Sequence, residues 1–201
     1  MMLLLAAAIA YLLGAIPFGY LLVRWKTGTD VRASGSGNIG ATNVLRTTGR
    51  AAGIATLLLD IAKGYLAVWI AGQLTSHDVL SMSVAAVAVM LGHIYPVFLR
   101  FQGGKAVASF VGAFLYLTPL ALISTLIVFL VIVAWTRHIS MGSIIAAATL
   151  PLAVWLIERG PLSAFLAAVA AAFLIIYKHS NNIQRLRAGT ESAFRFGARK
   201  S

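Results

Sequence analysis

Residues 106–136 read AVASFVGAFLYLTPLALISTLIVFLVIVAWT, a run without one Asp, Glu, Lys or Arg. It is too long for a single span of ~20 residues and too short for two full ones. Its reading decides on which side of a membrane everything after it lies. Pro119 disfavours helical backbone at Thr118, so the run is expected to break there into a short helix, 106–117, and a longer one, 120–136. The short helix covers only ~18 Å at 1.5 Å per residue, against an apolar core of ~30 Å. It is expected to tilt, re-enter or thin the bilayer. With two passages, Arg137 and the basic residues Lys178, Arg185, Arg187, Arg195, Arg199 and Lys200 fall on the side of the earlier basic loops. With one passage they fall opposite, against the rule that Lys and Arg collect on the cytoplasmic side.

The composition makes a membrane the right frame. Of 201 residues, 60% are hydrophobic and only 10% charged, with mean hydropathy +0.91. A soluble domain carries about a quarter charged residues, and a disordered chain is poor in apolar ones; both classes are excluded. Cysteine is absent, which removes disulfides, thiolate catalysis and Cys-ligated metals. The formal charge of +11 is expected to reflect the positive-inside rule and an anionic substrate or lipid, rather than nucleic acid.

Working outward, the remaining expected spans are 3–23, 51–73, 79–99, 143–157 and 162–177. The first has no basic n-region and so is not a signal peptide; Pro17 is expected to kink it. The loop over 24–50 carries Arg24, Lys26, Arg32, Arg46 and Arg50 against Asp30. The expectation is one polytopic domain over 1–201: an all-α integral membrane protein of seven transmembrane helices, N-terminus outside, C-terminus cytoplasmic. Asp78 and Glu158 then lie outside, and Arg46, Arg137 and Ser201 inside. Among Lys and Arg only Lys63, within the second span, and Arg159, beside Glu158, depart from the cytoplasmic side. Asp60 and Lys63 share one helix face and are expected to pair or to find partners on other helices; the pair reads as structural or as lining a polar site.

This topology gathers three polar segments at one surface. The first, GSGNIGATNVLR from Gly35 to Arg46, contains GxGxxG, but no preceding strand makes it a dinucleotide fingerprint. Its glycines allow close backbone approach, N–H groups before a helix suit an anion, and Arg46 offers a planar fork for phosphate. It reads equally as a flexible Gly/Ser loop. The second, GHIYPVFLRFQGGK from Gly92 to Lys105, is no Walker loop, since Lys105 is followed by Ala106. Gly103, Gly104 and Lys105 at a helix start have the parts of a phosphate cradle, with free N–H groups and an ammonium. Arg100 reads as positive-inside charge and His93 as a structural or interfacial histidine. The third, KHSNNIQRLRAGTE from Lys178 to Glu191, brings a His and two Asn that suit orienting or deprotonating a hydroxyl. It also reads as a polar helix cap, with Arg195, Arg199 and Lys200 a basic tail on anionic lipid. No GxSxG, HxxxxD or HExxH pattern occurs, and no acidic cluster suggests a metal.

In order and spacing, GSGNIGATNVLR, GHIYPVFLRFQGGKAVA and KHSNNIQRLRAGTE resemble the three cytoplasmic motifs of the bacterial acyl-phosphate:glycerol-3-phosphate acyltransferase family (PlsY). The resemblance covers nearly the whole chain. It implies transfer of a fatty acyl group from acyl phosphate to the 1-hydroxyl of sn-glycerol 3-phosphate, giving lysophosphatidic acid and phosphate, on the cytoplasmic face of a bacterial inner membrane in phospholipid biosynthesis. It implies that Ser36, Arg46, Lys105, His179 and Asn182 are catalytic and that Gly37, Asn38, Thr42, Asn43, Gly103 and Gly104 bind substrate phosphate, with Glu191 structural. No metal, cofactor, nucleic acid or obligate protein partner is implied; the partners are glycerol 3-phosphate, fatty acyl phosphate and membrane lipid. The family usually has Lys-Gly-Gly-Lys-Gly in the second motif; here the first Lys is Gln102 and the last Gly is Ala106.

Acyl phosphate is already activated, so the protein need only hold two phosphates, aim a hydroxyl and stabilise the leaving phosphate. Cationic and amide groups without a carboxylate suit that task. His179 and the substrate's own phosphate are both open as the base. The rival reading is a transporter or flippase for a phosphorylated or lipid anion. Transporters usually show repeated halves with site residues at the midplane, neither of which is visible here; a noncatalytic scaffold has no use for three phosphate-suited segments.

Overall fold

The computed structural model describes residues 1–194; the expectations for Arg195, Arg199, Lys200 and Ser201 lie outside the described residues. Those residues form helices and loops without a strand. In chain order the helices are α1 (Met2–Ala15), α2 (Phe18–Thr27), α3 (Ala41–Thr48), α4 (Arg50–Leu74), α5 (Val79–Ile94), α6 (Val107–Leu117), α7 (Pro119–Thr136), α8 (Ile139–Ala153), α9 (Leu162–Lys178) and α10 (Ser180–Arg187). Among the described residues, five helical stretches are long and apolar enough to cross a membrane; α9 with α10, bent by 57°, makes a sixth candidate, and α6 is a shorter apolar helix.

α5 is the central post and packs against α1, α4, α6 and α9. With lipid outside there is little hydrophobic drive between helices, so close backbone approach by small residues holds them. Two reciprocal glycine contacts do this. A Cβ on Gly14 would fall 2.1 Å from Val89 O, and one on Gly92 2.1 Å from Tyr11 O, so α1 and α5 touch backbone to backbone. Gly64 against Ser109 O (2.2 Å) and Gly112 against Ile61 O (1.9 Å) do the same for α4 and α6. The core is accordingly rich in alanine, with Phe114, Met90, Ile94, Leu122, Leu150 and Ile175 as its largest fully buried side chains.

The break at Thr118 is present: α6 ends at Leu117, and Pro119 begins α7, where its missing N–H costs nothing. Glu158 Oε1 accepts from the N–H groups of Leu120 (2.9 Å) and Ala121 (3.2 Å) and so caps α7. The turn at 118 and the link after Glu158 therefore share one end of the bundle. Phe194 N donates to Arg137 O (2.6 Å), which puts the α7–α8 junction at the other end with the third polar segment. α6 and α7 thus meet at the end of the bundle opposite the α7–α8 junction.

Several boundaries differ from expectation. Pro17 interrupts the helix between α1 and α2, which together still make one candidate span, Met2–Thr27, four residues longer than expected at its end. The candidate span Val79–Leu99 has the expected bounds, but within it α5 stops at Ile94, since Pro96 cannot continue it, and a 3-10 turn covers Val97–Leu99. α8 starts at Ile139 rather than 143, because the chain reverses at a left-handed Arg137 (φ 60°) and needs only His138 before the helix. Pro151 lies inside α8, and the last turn, Val154–Glu158, widens to a π-helix.

Candidate active site

Lys105 stands where the three polar segments meet. It follows the loop after α5 and donates from Nζ to Asn182 Oδ1 on α10. Asn182 is buried and its amide nitrogen donates to Glu191 Oε1 (2.6 Å). Glu191 is held in turn by Ser140 Oγ on α8 (2.8 Å) and by Arg185 Nε on its Oε2 (2.7 Å). The carboxylate thus has three donors and orients the amide that orients the ammonium. Burial alone would raise the Glu191 pKa, but the hydrogen bonds from Asn182, Arg185 and Ser140 hold it below the usual carboxylate range.

The Lys105 ammonium is depressed to about 8. Burial disfavours its charge; Glu191 offsets part of this, while Arg185, Arg46 and Lys178 push it further down. Several cations with one carboxylate among them form a field that an anion relieves. Arg46, in the last turn of α3, is exposed and makes no hydrogen bond or ion pair among the described residues. Arg32, by contrast, is spent on Asp30 (2.6 Å).

His179 caps α9 and is buried. Its Nδ1 lies 2.8 Å from Ile175 O, an acceptor only, so Nδ1 carries the proton and Nε2 the lone pair. Its pKa falls to about 4, through burial and the Lys105 charge, against partial support from the Ile175 carbonyl and Glu191. Near neutral pH the ring is an uncharged acceptor.

In the first segment Asn43 is the organiser. Its amide nitrogen reaches Val31 O (3.3 Å), Ser34 O (3.1 Å) and Asn38 O (2.9 Å), and its Oδ1 accepts from Ser36 N (2.9 Å). It is 2% exposed, so this amide has nothing left for a phosphate: Asn43 shapes the loop, where direct contact was expected. Asn38 Oδ1 accepts from Gly40 N (2.8 Å) and faces Gly104, whose Cβ, if present, would lie 3.4 Å away. Gly37 is left-handed (φ 69°) and exposed, as is the Ser36 side chain; Thr42 sits in the first turn of α3, half-buried. Replacing Asn43 by alanine takes their partner from Ser36 N–H and Asn38 O, while Val31 O and Ser34 O keep bonds from Ser34 N (3.2 Å) and Gly37 N (3.1 Å). We expect a loss of about 1–3 kcal/mol, seen as a lower thermal unfolding midpoint in detergent; an unchanged midpoint would contradict this role.

The second segment differs from its expected cradle. Gly104 N donates to His93 O (3.0 Å) and Gly103 N to Ile94 O (3.1 Å), so these N–H groups close the loop onto the end of α5 and are not free for an anion. The glycines are needed for room: a Cβ on Gly103 would lie 2.1 Å from His93 O, and one on Gly104 2.3 Å from His93 Nε2. Ala106, where the resembled family has glycine, is left-handed (φ 59°). Such backbone costs an L-residue roughly 1–2 kcal/mol, offset by a methyl buried in the core. Gln102 is exposed.

Lys105, Asn182, His179, Gly104, Asn38 and Arg46 therefore gather at one end of the bundle, with Ser36 and Gly37 on the adjoining loop and Thr42 in the first turn of α3. Sequence reasoning missed Ser140 and Arg185 as supports of Glu191; Ser140 lies 51 residues from it and carries no local signal.

The match to known proteins spans the chain. The family model described as glycerol-3-phosphate acyltransferase covers residues 4–189. Curated proteins of that name include one from Geobacter sulfurreducens, 51% identical over 96% of this chain and 97% of its own. Another, from Agrobacterium fabrum, is 43% identical over 94% and 90%. A crystal structure of PlsY (YgiH), an integral membrane glycerol 3-phosphate acyltransferase, in its glycerol 3-phosphate form, aligns with TM-score 0.91 and 37% identity over 97% of this chain and 96% of that one. Its lysophosphatidic acid form aligns with TM-score 0.88 at 35% identity, over 97% and 96%.

Proposed function

This chain belongs to the glycerol-3-phosphate acyltransferase family, and we propose that its three converging segments carry that reaction with acyl phosphate as donor. The 1-hydroxyl oxygen of sn-glycerol 3-phosphate attacks the acyl carbonyl carbon, the bond from that carbon to the phosphate oxygen breaks, and lysophosphatidic acid and inorganic phosphate leave. The observation that carries this is the placement of Lys105 on Asn182, next to Gly104, which Asn38 faces, and within the field of Arg46. Lys105 and Arg46 hold phosphate, Ser36 and Gly37 on the loop before α3 and Thr42 in its first turn stand beside them, and Asn182 and Glu191 keep the ammonium in place. Asn43, Gly103 and Gly104 act by shaping the loops.

His179 presents a lone pair at Nε2, which accepts a hydrogen bond from a glycerol hydroxyl and fixes its direction. A base poised at about 4 takes little of a hydroxyl's proton near pH 7. The proton of the attacking hydroxyl therefore passes to the bound substrate's own phosphate. The test is purified protein in detergent with glycerol 3-phosphate and palmitoyl phosphate. Lysophosphatidic acid and phosphate are expected in equal amounts; their absence from folded protein would overturn the donor assignment. Detergent has no two compartments, so product there also separates catalysis from transport.

The chain forms one polytopic domain of seven spans in a bacterial inner membrane, N-terminus outside, with the site on the cytoplasmic face. The support is the charge distribution and the common end shared by the three segments and the α7–α8 junction. This chain has no cysteine, so single cysteines report cleanly. Asp78→Cys and Glu158→Cys are expected to react with an impermeant thiol reagent in intact spheroplasts, and Arg137→Cys only after lysis. Labelling of Arg137→Cys in intact spheroplasts would contradict the topology.

A further inference from the structure

A polar cluster lies inside the bundle beneath the second segment, and the proposed reaction does not use it. Asp60, Lys63 and His93 are no more than 3% exposed, and Ser109 is fully buried. Lys63 Nζ stands 2.9 Å from Asp60 Oδ1, out of line for a hydrogen bond, and donates to Ile16 O at 2.8 Å. His93 Nδ1 lies 3.3 Å from Ser109 Oγ and 3.7 Å from Asp60 Oδ1. The cluster thus ties α4, α5 and α6 to the backbone break between α1 and α2.

We propose that His93, held by Asp60, Lys63 and Ser109, is a positioning residue that sets where Lys105 stands. The inference rests on the reading of Lys105 as a phosphate ligand. His93, near the start of the second segment, meets the end of that segment twice. Its carbonyl accepts Gly104 N–H (3.0 Å), and its ring fills the place a Gly104 side chain would take, Nε2 lying 2.3 Å from that Cβ position. Lys105 is the next residue, so a shift of the ring moves the base of the lysine. At its other end, the cluster holds Ile16 O at the start of α2. There Gly19 lies against the first segment, its Cβ position 2.0 Å from Ile39 O. The first and second segments meet again at Asn38 and Gly104. A buried ion pair adds little stability over apolar side chains of the same shape; what this one supplies is a fixed place for the His93 ring.

That difference makes the test. Asp60→Leu/Lys63→Met removes both charges and orphans neither, and Ile16 O keeps its bond from Phe18 N (3.2 Å). The purified variant is assayed with glycerol 3-phosphate and palmitoyl phosphate. It should unfold within a few degrees of wild type, with KM for glycerol 3-phosphate raised about tenfold and KM for palmitoyl phosphate unchanged. A folded variant with wild-type KM for glycerol 3-phosphate overturns the proposal. His93 gives a second, independent reading should that variant fail to fold. His93→Gln, whose amide reaches the Nε2 position, should keep KM for glycerol 3-phosphate within about threefold of wild type. His93→Asn, which ends at the Nδ1 position, should raise it about tenfold. Equal KM in the two overturns the proposal. Lys105→Ala belongs in the same series, read by calorimetric Kd for glycerol 3-phosphate: a wild-type Kd there sinks the reading of the site itself, whereas a weakened Kd there with unaltered cluster variants sinks only the role of His93.

Discussion

Lys105→Ala and Arg46→Ala each reduce acyl transfer to near background while the protein stays folded. Each charged hydrogen bond to phosphate is worth about 1.5–3 kcal/mol, or roughly ten- to hundredfold in rate. An ammonium and a guanidinium can each donate more than one such bond. Among the described residues the Arg46 side chain has no hydrogen-bond or ion-pair partner to lose, and Lys105 gives up only Asn182, so neither truncation opens the core. Lys105→Arg recovers part of the loss, because a planar fork does not reach where a point charge does. Activity of both alanine variants near wild type would remove the phosphate site. The depressed lysine adds a pH signature. Its pKa of about 8 means that the free enzyme loses this charge as pH rises through 8. KM for glycerol 3-phosphate should therefore climb above that pH, and the climb should vanish in Lys105→Arg, whose charge persists. A flat KM to pH 9 in wild type would contradict the assignment.

His179→Asn retains substantial activity and keeps the acidic limb of the pH profile. His179 in the free enzyme is protonated only below about pH 4, so its own titration cannot produce a limb near 6. The second ionisation of a phosphomonoester, near pH ~6, can. An amide can replace the hydrogen bond of one ring nitrogen, so the expected loss is about tenfold. Loss of general-base catalysis is typically worth 10²–10⁴-fold. A fall in that larger range, with the acidic limb gone, would make His179 the base. The measurement is kcat for wild type and variant from pH 5 to 9 at saturating substrates.

Much of the fold was legible because it rests on apolar length, proline and charge. Pro119 was enough to read a break between a short α6 and a longer α7, and Pro17 marked the interruption before α2. α3 and α10 were read as polar loop. Each has eight residues, too few to be stable alone, and they form by docking onto neighbours that no local pattern names. In the site, residue types and spacing indicated which side chains handle phosphate, but not how they are held. Asn43 looked like a ligand because an amide offers the same groups to a phosphate as to a loop carbonyl. The N–H groups of Gly103 and Gly104 looked free because nothing in GHIYPVFLRFQGGK reveals that the chain folds back onto the carbonyls of His93 and Ile94. Asp60 and Lys63 do pair, as their spacing implied, while His93 as their neighbour depends on the packing of α4 against α5 and α6.

The central claim is that Lys105, fixed by Asn182 and Glu191, grips the phosphate of glycerol 3-phosphate. Calorimetric titration of glycerol 3-phosphate into purified protein at pH 7, without acyl donor, tests it most directly. Wild type should bind, and Lys105→Ala should bind at least tenfold more weakly; equal Kd for the two proteins would contradict the account.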